Sequence, residues 1–200
     1  PVVPVTRTTS GDKIYMAFFK PSKDKFWEGN VTKFGLSSSL EIVDKNGDPA
    51  TWPNGAMREE AEPYWQTKDW TNPLKPNYIH NSNRKIYTYL GSDKNLTHAS
   101  NAFTASNLSS AILGNPAHTV SEIVESIRGA DTLDDDKDSD VSENRAIITG
   151  DILHSEPFIF NYRYPDGTSK SYVFFGANDG MLHSVFDSEE PQSTDPDAPY

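Results

Sequence analysis

Apolar and polar positions are most clearly patterned near the end of the chain. Three short runs rich in aromatic and β-branched residues occupy positions 157–164, 171–176 and 181–186. Such runs have the length and composition of strands. Pro165-Asp166-Gly167 separates the first two, and Asn178-Asp179-Gly180 precedes the third. Proline presets φ, and Asn, Asp and Gly tolerate positive φ, so both separators predict turns. The pattern predicts a three-strand antiparallel meander over 157–187. A meander of this size cannot bury both of its faces alone.

The same reasoning predicts earlier strands at 14–20, closed by Pro21, at 31–36 and at 40–44, the last ended by the turn Lys45-Asn46-Gly47-Asp48. Positions 21–30 read as a polar loop carrying Phe26 and Trp27, with Trp27 expected to plug the sheet edge rather than stand exposed, because large aromatics are buried on average. Positions 49–83 show no sustained period and predict a long ordered loop, with room for one helical turn at 59–65. Trp52, Trp65 and Trp70 suit either sugar stacking or apolar anchoring of that loop, and anchoring is preferred. Positions 85–90 alternate and predict a further strand. Helices are predicted at 100–114 and 119–129. The second opens on Thr119-Val-Ser-Glu122, a capping box, places Ile123, Val124 and Ile127 on one face, and ends at Arg128-Gly129.

Composition narrows the function classes. The chain has 200 residues, 35% of them hydrophobic and 12% aromatic, a modest stock for a core. A net charge of −11 argues against nucleic acid, which needs clustered Lys and Arg, and suits divalent cations. There is no cysteine, hence no disulfide framework and no thiolate metal site. No apolar run reaches membrane-spanning length.

The densest charge run is Asp-Thr-Leu-Asp-Asp-Asp-Lys-Asp-Ser-Asp at 131–140. Asp134, Asp136 and Asp138 place oxygens at alternate positions, Asp140 offers a carbonyl or carboxylate, and Ser142 or Glu143 can complete the shell around one Ca²⁺. The loop is not an EF-hand: Ser139 replaces the turn glycine and Arg145 the bidentate glutamate. On spacing alone a solvated acidic linker suits the run equally well. Catalytic constellations are lacking. Ser155 has no Gly-x-Ser-x-Gly elbow, and no phosphate-cradling glycine loop occurs. His154 and His183 have no third ligand at metal spacing, so each is expected to be a buried hydrogen-bonding residue joining adjacent strands. Asp151, Asp179 and Asp187 suit turn or strand-end roles.

Four blocks in order carry a family resemblance: Trp27, Gly29 and Asn30; positions 84–89 (RKIYTY); Gly150, Asp151, His154, Ser155, Glu156 and Pro157; and positions 176–183. Together they resemble the C-terminal β-propeller domain of the PilC/PilY family of type IV pilus tip and biogenesis proteins. The resemblance implies a mainly β fold, part of a β-propeller over 1–200, with a helical insert at 100–145 that carries the acidic loop. The chain is then a fragment or early part of a propeller, with an open sheet edge that other chains or further blades close. Members of the family carry a comparable calcium loop between an Arg-Gly pair and the Gly150-type block, which favours calcium at Asp134, Asp136, Asp138, Asp140 and Glu143. The resemblance also implies a non-enzymatic adhesin, extracellular or outer-membrane-associated, acting in fimbrium biogenesis and cell adhesion. Its expected partners are minor pilin proteins of the pilus tip, the remaining propeller segments, and a surface or host receptor. Arg128-Gly129-Ala130-Asp131 interrupts the integrin tripeptide, so integrin binding is not carried over. A quinoprotein-type dehydrogenase is the alternative, since its blades also place Gly-x-x-Asp-Gly before a strand. The missing vicinal cysteine pair speaks against it. A third reading is another calcium-stabilised secreted scaffold.

Overall fold

A computed structural model describes residues 3–23, 27–67, 84–91, 93–114, 117–145 and 147–187. They fall into two units. One combines the described residues up to 67 with those from Thr149 on, and the other runs from 84 to 148. The chain is mainly β, with two antiparallel sheets and few helices. Neither sheet closes on itself among the described residues.

In the first unit, β1 (Val3–Ser10), β2 (Lys13–Lys20), β3 (Glu28–Leu36) and β4 (Ile42–Val43) form one sheet, and β5 (Trp65–Gln66) adds to β3. β2 is apolar without alternation because both of its faces are covered. Tyr15 and Ala17 face one core with Val31 and Trp65, while Ile14, Met16 and Phe18 face another with Phe34 and Ala50. The second sheet is the predicted meander: β6 (Phe158–Arg163), β7 (Ser169–Gly176) and β8 (Leu182–Asp187), paired in order. Val173, Phe175 and Val185 join Ile152 in the Tyr15–Val31 core, so the two sheets share it.

Several sequence expectations are corrected. β1 was not predicted, because its composition is polar and includes Pro4. It is an edge strand, where a missing N–H costs little, and its register shifts between Pro4 and Thr6. β3 begins three residues early, and its polar start at Glu28 to Asn30 lies in the sheet. The 40–44 strand shrinks to two residues. Leu40 sits at φ 63° in a turn. No helical turn forms at 59–65; Trp65 pairs with Lys33 in a two-residue strand and is buried. Positions 85–90 form no strand, only an isolated bridge from Tyr87 to Ala102. Trp70 and Phe26 lie outside the described residues. Of the remaining tryptophans, Trp65 anchors the core, Trp52 is exposed beneath the Arg58 guanidinium at 4.1 Å, and half-buried Trp27 stacks on Phe19 at 5.4 Å.

In the second unit, the predicted 100–114 helix breaks into a 3-10 turn (Ala99–Asn101) and α1 (Ser110–Leu113), which ends on Gly114 in the left-handed conformation. Buried Asn101 accounts for part of the break. Its amide donates to Asp93 O and Asn95 O, fixing an irregular loop. The second helix, α2 (Val120–Arg128), forms as read. Thr119 and Glu122 exchange both capping bonds, worth about 1 kcal/mol, and Gly129 closes the helix at φ 117°. Val124 is buried, with Ile123 and Ile127 partly so. Arg128 donates to Arg84 O and Phe103 O, so its guanidinium serves the packing of this unit.

Candidate metal centre

The acidic loop hangs from the C-terminal end of α2 and has a closed neck. Ala130 bridges Asn144, Asp131 N donates to Glu143 O at 2.9 Å, and Arg145 N donates to Gly129 O at 2.8 Å. Thr132 Oγ1 donates to Glu122 O at 2.7 Å, tying the loop to α2. Arg145 Nε lies 2.6 Å from Asp135 Oδ2, close enough for an ion pair although its N–H is not aimed at that oxygen. Three non-glycine residues of this loop adopt positive φ: Asp134 at 52°, Lys137 at 65° and Ser139 at 74°. Ser139 thus bends the chain where the sequence comparison placed a missing glycine. The bend is stabilised by Ser139 N donating to Asp134 Oδ1 at 3.0 Å.

These bends fold the chain back so that carboxylates converge. One oxygen each from Asp131, Asp134 and Asp136 come within 4.8 Å of one another, and so do oxygens from Asp136, Asp138 and Glu143. A Ca²⁺ held at about 2.4 Å from each donor spans ligand oxygens separated by up to about 4.8 Å. An all-oxygen set of carboxylates is the donor chemistry that a hard cation takes. Asp136 is common to both groups. Of the five residues read from the sequence, Asp134, Asp136, Asp138 and Glu143 are brought together in these two groups. Asp140 is in neither: its Oδ1 accepts from Ser142 N at 2.9 Å and Ser142 Oγ at 2.6 Å, which holds its carboxyl below the ordinary value. Asp131 is the residue that spacing missed. It is 2% exposed, and Oδ1 accepts from Asp135 N at 2.9 Å. The signal was present: it precedes Asp134 by one turn-length and begins the charge run.

The electrostatics are those of crowded acids. Desolvation, followed by the negative charges of Asp138, Asp136, Asp140 and Asp131, holds the Glu143 carboxyl above its ordinary value. The crowding is only partly relieved within the loop, where Asp138 N donates to Asp136 Oδ1 and Asp140 N to Asp138 Oδ1.

The residues of the Gly150 and 176–183 blocks have a different use. Asn178 Nδ2 donates to Asp151 Oδ1 at 2.7 Å, Gly150 N donates to Asp179 Oδ2 at 3.0 Å, and Gly176 N donates to Ser155 Oγ at 3.0 Å. His183 Nε2 sits 2.8 Å from Asp179 Oδ2 and its ring stacks on Phe175. Burial pushes the Asp179 carboxyl up, but His183 and the amides of Gly150 and Met181 outweigh it, and the net direction is down. His183 is buried and hydrogen-bonded as expected, but its partner Asp179 lies in the turn before its own strand and not on an adjacent strand. His154 is not buried: it is exposed in a turn ahead of β6, where the chain has not yet entered the sheet. Comparison with family models, with curated proteins and with solved structures finds no match to this chain.

Proposed function

We propose that the chain is a calcium-binding portion of a β-propeller belonging to a type IV pilus tip adhesin of the PilC/PilY kind, acting outside the cell without catalysis. The observation that carries the reading is the pair of carboxylate groups that share Asp136 in a loop with a closed neck. Two antiparallel sheets stacked over one core are compatible with neighbouring propeller blades. The Ser155, Asp179 and His183 side chains are bonded to the sheet framework, which favours a structural over a catalytic role for them. Calcium, when bound, supplies the positive charge that the loop lacks. Asp134, Asp136 and Asp138 hold it, with Asp131 and Glu143 closing the two sides and Asp140 ordering the exit of the loop. Mg²⁺ binds more weakly, because it demands a smaller octahedral shell and gives up its water reluctantly.

Calorimetric titration of the chain with Ca²⁺, beside an Asp136→Ala/Asp138→Ala variant, tests the site. Binding to the folded state alone raises stability by about 2.7 kcal/mol at a hundredfold excess over the dissociation constant. Equal heats from both proteins, or a melting temperature indifferent to chelator, return the loop to a solvated linker. The pilus role is tested separately by gene deletion, with reduced piliation or surface attachment expected. Normal pili together with loss of a quinone-dependent dehydrogenase activity support the enzyme instead.

A further inference from the structure

Asparagine followed at the second position by Ser or Thr, with no proline between, is the acceptor pattern for N-linked glycans and belongs on exposed loops. The chain carries it three times, as Asn30-Val31-Thr32, Asn95-Leu96-Thr97 and Asn107-Leu108-Ser109. An acceptor needs an Nδ2 amide that its own fold does not use, because that nitrogen forms the bond to the sugar. Two of the three fail this requirement. Asn30 is 2% exposed within β3, and its Nδ2 donates to Thr32 Oγ1 and Gln66 Oε1, both at 3.1 Å. Asn107 is half-buried. Its Nδ2 donates to Ala99 O at 2.8 Å and to Ala102 O at 3.0 Å, which uses both amide hydrogens.

Asn95 is arranged otherwise. It is exposed in a turn with Lys94, Leu96 and Thr97, and Leu96 is itself 52% exposed. Thr97 N and Thr97 Oγ1 both donate to Asn95 Oδ1, at 3.3 and 3.0 Å. This is an Asx-turn reinforced by the hydroxyl of the third residue of the triplet. Thr97 thereby sets the orientation of the carboxamide through Oδ1, while Nδ2 donates to no described group. The backbone beneath is held firmly. Buried Asn101 donates from Nδ2 to Asp93 O at 3.0 Å and Asn95 O at 2.9 Å, and His98 N donates to Asn95 O at 2.9 Å. Asn95 N donates to Asp93 Oδ1 at 2.7 Å. The turn is therefore ordered from below, and its amide stays at the surface.

We propose that Asn95 is the acceptor of an N-linked glycan, delivered by an oligosaccharyltransferase from a lipid-pyrophosphate-linked oligosaccharide. The bond from Nδ2 to the sugar's C1 forms as the bond from C1 to the pyrophosphate oxygen breaks. The electron pair of that bond leaves with the pyrophosphate, and one Nδ2 proton passes to a base of the transferase. Thr97 is a positioning residue, since its hydroxyl holds the reacting carboxamide, and serine can do the same. Asp93 places a carboxylate two residues before the acceptor, where Ala105 stands before Asn107. A transferase groove with a cation at that place prefers Asn95 over Asn107. A glycan here also shields Leu96 from water. The inference rests on the extracellular part of the proposed reading, because such transfer acts on exported chains, and on neither calcium nor pili.

Incubating the purified, folded chain with a bacterial oligosaccharyltransferase and its lipid-pyrophosphate-linked oligosaccharide tests it, with intact mass and peptide fragmentation as the readout. A single glycan increment at Asn95 is expected. Asn95→Gln abolishes it, Thr97→Ala removes most of it, Thr97→Ser restores it, and Asp93→Asn slows it. Asn107→Gln leaves it unchanged. Melting curves establish that each variant is folded, and all of the altered side chains but Asn107 lie in the surface turn. No transfer to the folded chain, transfer at Asn107 or Asn30 instead, or equal transfer to wild type and Thr97→Ala each overturns the proposal. The assay does not depend on where the cell sends the chain. Protease digestion of intact cells reads that separately, so failure of the acceptor and failure of the extracellular reading are told apart.

Discussion

Replacing Asp187 by alanine tests how the two sheets are locked together. The carboxylate at the end of β8 accepts from Tyr15 Oη at 2.6 Å, Lys33 Nζ at 2.8 Å and Trp65 Nε1 at 2.8 Å, and all three donors come from the other sheet. The Lys33 and Asp187 side chains are 3 and 9% exposed, so solvent does little to screen the pair. Removing the carboxylate strands a buried ammonium, at a cost of about 3–5 kcal/mol. It also leaves two further donors unmet, each worth about 1–3 kcal/mol. These costs overlap because one relaxation or one entering water serves all three donors. A loss of about 5 kcal/mol is expected, which lowers the melting temperature of a protein this size by roughly 10–20 °C. Lys33→Met should cost about half as much, since the carboxylate keeps Tyr15 and Trp65 as donors. In Lys33→Met/Asp187→Ala both charges are gone and no ammonium is stranded, but Tyr15 and Trp65 still lose the Asp187 carboxylate as acceptor, so a loss of about 2–4 kcal/mol remains, less than the sum of the two single variants. Urea unfolding of the four proteins, at low and high salt, measures the coupling. A loss below about 1 kcal/mol in Asp187→Ala, the scale of an exposed pair, refutes the reasoning, as does simple additivity of the two single variants in the double.

Two other outcomes follow from close geometry. A Cβ added at Gly29 sits 1.9 Å from the Gly150 carbonyl oxygen, and one at Gly150 sits 2.5 Å from Asp179 N. Both obstacles are backbone, so Gly29→Ala and Gly150→Ala should each lose about 1–3 kcal/mol or more in thermal melts; wild-type melting in either shows that the approach is looser than described. Glu143→Gln removes a carboxyl held above its ordinary value by burial and by its acidic neighbours. Such a raised group destabilises the calcium-free fold above its folded pKa, and that cost is relieved as pH falls through the folded value toward the ordinary one. The variant should therefore melt higher than wild type at neutral pH in chelator, with a flatter pH dependence, yet gain less from added calcium. A melting point unchanged in chelator and an unchanged calcium response remove Glu143 from the site.

The sequence was most legible where local chemistry and tertiary context agree. The meander and α2 were read nearly to their ends, because turn residues and a capping box act within a few positions. The failures share a cause: strand pairing is decided across the sheet. KIYTYL at 85–90 has the alternation of a strand but meets only a bridge, whereas the polar stretch Glu28 to Asn30 pairs fully because β2 lies beside it. Asn30 and Thr67 are buried yet satisfied by one another and by Gln66, a solution that no local pattern announces. In the loop, alternate spacing found the acids that follow one another. It missed Asp131, which a local turn brings to Asp134 and Asp136, with Asp134 N donating to Asp131 O at 3.2 Å and Asp135 N to Asp131 Oδ1 at 2.9 Å.

The distribution of acid partners favours the loop, rather than the sheets, as the place where chemistry is available. Asp151 is engaged by Asn178, Asp179 by two amides and His183, and Asp187 by three donors. Altering any of these acids disturbs the framework before it disturbs a ligand. Asp134, Asp136 and Asp138 are arranged otherwise. Each accepts one backbone amide from within the loop through Oδ1, which restrains the side chain's direction. Asp136 stands in both converging groups, so its loss opens both sides of the site, whereas loss of Asp140 frees only the Ser142 turn. A calcium response that falls steeply in Asp136→Ala and only slightly in Asp140→Ala is the ordering this arrangement requires.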